Sequence, residues 1–159
     1  MDKKIIYTDG SSKGNPGPGG YAAIIVDEKN VVEIGGHEPL TTNNRMEMTA
    51  AIEALKKTPE GTEIEIHTDS EYLMKGATIW IKNWQKNNWR TKDRKDVLNR
   101  DLWEIIFEET EKRNVAWQKV LGHSGHVFNE RCDEIAQDLA DGKNVSLYNG
   151  LKQGYKLFH

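Results

Sequence analysis

The strongest constraint on this chain is its opening stretch, Ile5-Ile6-Tyr7-Thr8-Asp9, followed by a Gly- and Pro-rich run from Gly10 through Asn15 and Pro16 to Gly20. A short apolar run rich in β-branched residues reads as a buried strand. It delivers one carboxylate, Asp9, onto a loop of residues that permit or fix unusual backbone angles. A carboxylate at the end of a core strand stands on a rigid scaffold, and the loop beyond it lets a ligand approach the backbone. The same residues also suit a tight turn closing a β-hairpin, with Asp9 an ordinary turn residue. Taken alone, the stretch leaves both possibilities open.

The chain has 159 residues. A single domain of that size buries roughly 70% of its unfolded surface, so disulfides and structural metals are not needed to hold it together. We therefore expect one domain over 1–159. No apolar targeting segment follows Lys3-Lys4, and no run approaches the roughly 20 apolar residues of a membrane span. Cys132 is the single cysteine, which fits a reducing, cytoplasmic setting. The net charge is −3, so any nucleic-acid binding has to come from local basic patches.

Beyond the opening loop, residues 21–26 read as a second strand and 31–34 as a third, ending at Gly35-Gly36. Short connections favour an antiparallel meander of these three. Residues 41–44 offer N-cap candidates before a helix from Arg45 to Lys57, with Met46, Ala50 and Leu55 on its apolar face. Residues 63–69 alternate as a strand, and the preceding helix makes a parallel crossover plausible. Ser70 is placed to cap a helix over 71–79 that runs on through Trp84. A polar, basic and aromatic stretch follows to Lys95. Another amphipathic helix closes near Lys112, a fifth strand covers 115–120, and a final helix covers 129–140. The expected architecture is one layered α/β domain with a mixed sheet.

Four acids share a destination on this plan. Asp9 ends the first strand and Asp69 the fourth. Glu47 lies in the first turn of the helix feeding that strand, and Asp133 in the first turns of the final helix. If the first and fourth strands are parallel neighbours, Asp9 and Asp69 emerge together at their C-terminal ends, where crevices form in open α/β sheets. Oxygen-only ligands suit Mg²⁺ or Mn²⁺ rather than Zn²⁺. The matching chemistry is phosphoryl transfer with two ions roughly 3.5–4 Å apart. Taken one by one, each acid is equally at home as a cap or a solvated side chain.

In order and spacing, residues 8–11 (Thr-Asp-Gly-Ser), 14–20, 42–47 (Thr-Asn-Asn-Arg-Met-Glu), 68–70 (Thr-Asp-Ser), 122–126 (Gly-His-Ser-Gly-His) and 129–133 (Asn-Glu-Arg-Cys-Asp) resemble the bacterial type 1 ribonuclease H family over nearly the whole chain. The resemblance implies a ribonuclease H-like fold: five strands in a mixed sheet, a three-stranded antiparallel meander plus two parallel strands, flanked by helices. It implies metal-dependent hydrolysis of the RNA strand of an RNA–DNA hybrid by in-line water attack, leaving 5′-phosphate and 3′-hydroxyl ends. The cofactor it implies is Mg²⁺, with Mn²⁺ as a substitute and two ions when substrate is bound. Asp9, Glu47, Asp69 and Asp133 match the family's metal-binding carboxylates, and His123 matches its catalytic-loop histidine. A zinc-like pattern, His123-x-x-His126 with Cys132, lacks a fourth ligand at suitable spacing.

Trp80, Trp84 and Trp89 interleave with Lys82, Lys86, Arg90, Lys92, Arg94 and Lys95. Cations meet phosphates, and exposed tryptophans can lie against sugars or bases. By resemblance, residues 80–96 are the family's basic handle, here less basic at the 85–88 tip. Trp80, Trp84, Lys86 and Arg90 are the handle's expected contacts. An inward-packed tryptophan is the alternative, foremost for Trp89. The glycine loop lacks the Gly-Lys-Ser/Thr ending of a nucleotide P-loop. By resemblance, Asn15, Thr42, Asn43 and Asn44 contact the hybrid on its minor-groove side. Glu71 stands where glutamine is common in the family. The expected enzyme is a monomer, with no membrane association. DNA-cutting relatives of the same fold and a hybrid-binding module with a dead site are the rival classes. The tail 143–159 is expected either to strap onto the body through Tyr148, Leu151, Tyr155 and Phe158 or to be partly disordered.

Overall fold

Side-chain alternation along the first strand decides the layers. The computed structural model describes residues 2–120 and 126–156. In it, β1 (Lys4–Ser12) is buried on both faces through its middle. Ile6 faces one apolar cluster and Tyr7 the opposite one, as the period of two requires. β1 pairs antiparallel with β2 (Gly17–Val26), and β2 with β3 (Asn30–Thr41). On its other side β1 pairs parallel with β4 (Glu63–Thr68), which pairs parallel with β5 (Asn114–Lys119). The mixed sheet and its meander follow the expected plan.

Two expectations need correcting. The sheet has six strands, in the order β5-β4-β1-β2-β3-β6, because β6 (Asn149–Leu151) pairs antiparallel with the start of β3. Without it, β3 would present an unpaired edge. The second correction concerns Asp9, which does not end its strand. The β1–β2 ladder continues past it to Ser11↔Gly20 and Ser12↔Gly19. Gly17, Gly19 and Gly20, expected in a loop, are buried strand residues. At Gly20 a Cβ would overlap the backbone of Ala136 and Ala140, so the missing side chain lets a helix lie directly on the sheet.

α1 (Asn43–Lys56) is capped by Thr42, whose hydroxyl accepts from the Arg45 N–H at 3.2 Å. It is buried on two sides. Ala54 and Leu55 pack with Ile6, Ile64 and Ile66 on the sheet, while Met48, Ala51 and Ile52 pack outward on Trp103 and Ile106. Those two belong to α4 (Arg100–Glu111). α2 (Glu71–Lys75) continues through a π-helical turn (Gly76–Trp80) into α3 (Ile81–Lys86), the near-continuous helix expected from the sequence. α5 (Val127–Ala140) covers the opposite face, burying Phe128, Cys132, Ile135 and Ala136 against Tyr7, Ala22 and Ile24. Among the described residues no helix is long and apolar enough to cross a membrane.

The tail is a strap as far as residue 156. Tyr155 is buried and stacks on Phe128, and Tyr148 packs against both Tyr155 and the α5 cluster. Leu151, expected in the strap's apolar contacts, is 63% exposed, because its three-residue strand pairs through backbone only. Phe158 lies outside the described residues.

Candidate active site

The site forms where β1 outruns its parallel neighbour. Pairing with β4 stops at Tyr7↔His67, whereas pairing with β2 continues to Ser12. Asp9 therefore projects just beyond the end of β4, and Asp69 follows directly after that strand's last residue. The turn holding Asp69 is pinned on both sides. Thr68 Oγ1 accepts from the Ser70 N–H at 3.0 Å, and Ser70 Oγ caps α2 by accepting from the Leu73 N–H at 3.1 Å.

Glu47 arrives from the second turn of α1, one turn later than expected because the helix starts at Asn43. Its Oε1 accepts from the Gly10 N–H, which also donates to Asp9 Oδ1 at 2.9 Å. One amide thus ties the two carboxylates together. A Cβ on residue 10 would overlap the backbone of Met46 and Glu47. Gly10→Ala is expected to push α1 off β1, costing roughly 1–3 kcal/mol of stability and a larger share of activity. Thermal melts alongside turnover of the variant check this; unchanged activity would contradict the tight α1–β1 approach.

Asp9, Glu47 and Asp69 each offer one oxygen within 4.8 Å of the others. Asp133, on α5, lines the same cavity of about 460 Å³ but stands outside this tight group. Its carboxylate accepts from Gln137 Nε2 at 3.0 and 2.9 Å, one helical turn further on. Burial, with Asp69 and Asp133 adding like charge, pushes the Asp9 carboxyl up to about 7, although bonds with Glu47 and the Gly10 amide oppose the shift. Burial, the bond to Asp9 and the nearby charges also raise Glu47 well above the ordinary carboxylate range. Among the described residues, Glu47 Oε2 is buried and has no hydrogen-bond partner. An orphaned buried oxygen facing like charges fits a site completed by a hard cation, and the donor set is all oxygen.

The remaining candidates divide. Asn43, Asn44 and Glu71 line the acid cavity; Asn43 Oδ1 also accepts from the Ser12 N–H at 3.2 Å. Thr42 is occupied as the α1 cap. Asn15 is exposed on the β1–β2 turn and is not among the cavity-lining residues. Lys86 and Arg90 are exposed, and Arg90 donates to the Arg94 carbonyl at 3.2 Å. Trp80 and Trp84 are only half-exposed. Their ring centroids lie 5.6 Å apart, and Trp84 also meets Trp103 at 5.4 Å. Trp89 packs edge-on against Phe107 at 5.9 Å. The inward packing foreseen for one tryptophan therefore holds in part for all three, which limits what each can offer a ligand. His123 lies outside the described residues.

Two neighbours were missed from the sequence. Tyr72 lines the cavity, and its hydroxyl accepts from Asn99 Nδ2 and Trp103 Nε1, both at 3.1 Å. Lys119 pairs with Glu71 at 3.5 Å. Tyr72 had a signal in its closeness to the 68–70 motif; Lys119 had only its odd position on the fifth strand.

Comparison with known proteins bears on this geometry. The family model described as RNase H matches residues 1–141. Ribonuclease H of Pseudoalteromonas atlantica is 50% identical over 140 residues, covering 88% of this chain and 92% of the relative. Ribonuclease H of Hahella chejuensis is 53% identical over 131 residues, covering 82% and 88%. Among solved structures, LC9-RNase H1, described as a type 1 RNase H with the type 2 active-site motif, superposes with a TM-score of 0.84 at 28% identity over 99% of this chain and 81% of that one. LC11-RNase H1 in complex with RNA/DNA hybrid superposes with a TM-score of 0.64 at 26% identity, covering 87% and 97%.

Proposed function

Given that the chain belongs to the RNase H family, we infer from its acid cavity how it acts on RNA–DNA hybrids. It is an endonuclease that hydrolyses the RNA strand of the hybrid, leaving 5′-phosphate and 3′-hydroxyl ends. The observation that carries this reading is the convergence of Asp9, Glu47 and Asp69 where β1 runs on past the end of β4. Asp9, Glu47, Asp69 and Asp133 are the residues that would hold Mg²⁺, or Mn²⁺ in its place, with two ions expected when the hybrid is bound. When bound, such ions supply Lewis-acid stabilisation of the charge that develops in phosphoryl transfer and lower the pKa of water.

The protein's own contribution is placement. The Gly10 amide fixes Asp9 and Glu47 against each other, and the capped turn after β4 fixes Asp69. Gln137 holds the Asp133 carboxylate at the cavity's edge. Asn43 and Asn44 face the cavity from the start of α1, where amide groups can meet 2′-hydroxyls and base edges. Asn15 and Thr42 extend that contact, and Glu71 stands at its outer rim. The handle over 80–96 supplies Lys86 and Arg90 for backbone phosphates, with the exposed edges of Trp80 and Trp84 beside them. His123, which matches the family's catalytic-loop histidine, is assigned the role of moving a proton or aiding product release. The working unit is a single ribonuclease H domain over 1–159, acting as a monomer in the cytoplasm.

A strand-labelled cleavage assay tests this. Hybrid labelled on RNA is expected to be cut with Mg²⁺ or Mn²⁺ and not with EDTA, while labelled DNA and duplex DNA stay intact. Cleavage of duplex DNA at a comparable rate would move the chain to the DNA-cutting branch of the fold.

A further inference from the structure

We propose that Lys119 is a phosphate-contacting residue of this site, held at its rim by Glu71; the proposal rests on the reading of the cavity as the hybrid-cutting site. Among the described residues the cavity lining carries five carboxylates, Asp9, Glu47, Asp69, Glu71 and Asp133, and no cation. A polyanionic backbone entering it meets like charge from every side. Metal ions held by the inner acids answer part of that repulsion, but Glu71 sits on α2 at the outer rim, outside the three-acid group.

Among the described residues, Lys119 reaches this rim. It is the last residue of β5, paired in register with Thr68, whose next neighbour is Asp69. The two-residue period places it on the same face as Val115 and Trp117, both packed toward the α1 side of the sheet. From there its ammonium meets Glu71 Oε1 at 3.5 Å, with the two side chains 36% and 68% exposed. An exposed pair of this kind contributes about 0–1 kcal/mol to stability, too little to account for it as a structural tie. An ammonium has three donors. The ion pair with Glu71 draws the ammonium to the rim, and its donors stay available for a phosphate oxygen of the strand entering the cavity. On this view Glu71 is the positioning residue and Lys119 the contact. That also gives Glu71 a role in this chain different from the one a glutamine would have there.

The discriminating measurement is the salt dependence of hybrid binding, followed by fluorescence anisotropy without divalent cation across a KCl series. Loss of one phosphate contact lowers the slope of log affinity against log salt by about 0.9. Lys119→Gln is expected to show that decrease and Lys119→Arg to keep the wild-type slope. The Glu71→Gln/Lys119→Gln double variant is expected to keep the lowered slope. If Lys119 merely neutralises Glu71, Lys119→Gln weakens binding but the double variant returns to wild-type affinity and slope, and the proposal is overturned. An unchanged slope in Lys119→Gln overturns it as well, while leaving hybrid recognition intact. Failure of the wild-type protein to bind hybrid at all would remove the functional reading and the proposal together.

Discussion

Asp9→Asn is expected to abolish hybrid cleavage while leaving a folded protein that melts at a higher temperature than wild type when divalent cations are absent. Removing one of three carboxylates that converge within 4.8 Å forfeits several kcal/mol of charge stabilisation, which corresponds to about a thousandfold or more in rate. The stability effect follows from the raised Asp9 pKa. The carboxyl has an ordinary value of 3.8 and titrates at about 7 in the fold, so the folded state binds this proton more tightly than the unfolded one. That contribution is fully present below pH 3.8 and is lost as the pH rises through 7. At pH 8 the wild-type protein carries the burial and repulsion cost in full, and the variant does not. Thermal melts of the two proteins from pH 4 to 8 are therefore expected to diverge as the pH rises. Millimolar Mg²⁺ should raise the wild-type melting temperature more than the variant's, through preferential binding to the folded state. Near-normal cleavage by the variant would remove Asp9 from the site.

Arg131→Ala is expected to destabilise the protein by about 3–5 kcal/mol, lowering its melting temperature by roughly 10 °C. The target is a buried carboxylate that fastens the tail to the body. Glu33 is 4% exposed on β3 and receives Arg131 through a two-pronged pair, Nε at 2.8 Å and Nη2 at 3.1 Å. The Tyr155 hydroxyl donates to it at 2.6 Å and the Tyr148 N–H at 3.0 Å. Arg131 also donates to the Ser146 carbonyl at 3.2 Å, so one guanidinium joins α5, β3 and the strap. Removing it leaves a charge buried without its cation, the costly half of a buried ion pair. Burial alone would raise the Glu33 pKa, but the bonds from Arg131, Tyr155 and Tyr148 outweigh it and hold the group below its ordinary 4.5. The stability it contributes is present above pH 4.5 and is lost as the pH falls through the lower folded value. Wild-type melting should therefore show an acid-side decline that is weaker in Arg131→Ala. A variant within 1 °C of wild type at neutral pH would mean that the strap does not depend on this cluster.

The strand and helix pattern was legible because it rests on local periodicity. Ile6 against Tyr7, and Ile64 with Ile66, announce two-faced strands in any context, and Thr42 and Ser70 announce helix starts. Asp9, Glu47 and Asp69 stood out because each falls within a turn or so of an element end, whereas Asp133 sits in the middle of α5. The boundaries were less legible wherever glycine was read as a loop. Gly17, Gly19 and Gly20 are strand residues, since a missing side chain serves close helix packing as well as it serves a turn. Nothing local distinguishes those uses. The tail was harder still: Glu33 and Arg131 are 98 positions apart, and their contact helps fasten residues 148–155 to the sheet alongside the β6 pairing and the Tyr155–Phe128 stack.

What the sequence determined by itself is the first five strands and the main helices, their order, and the presence of four acids along them, all properties of short windows. What only the tertiary structure decided is which acids meet. Asp9, Glu47 and Asp69 share one group because β1 extends past β4 and because Gly10 admits α1 to contact, whereas Asp133 turns toward Gln137 on its own helix. Convergence is a matter of register and approach distance between segments far apart in the chain, and those are settled only when the sheet and its helices pack.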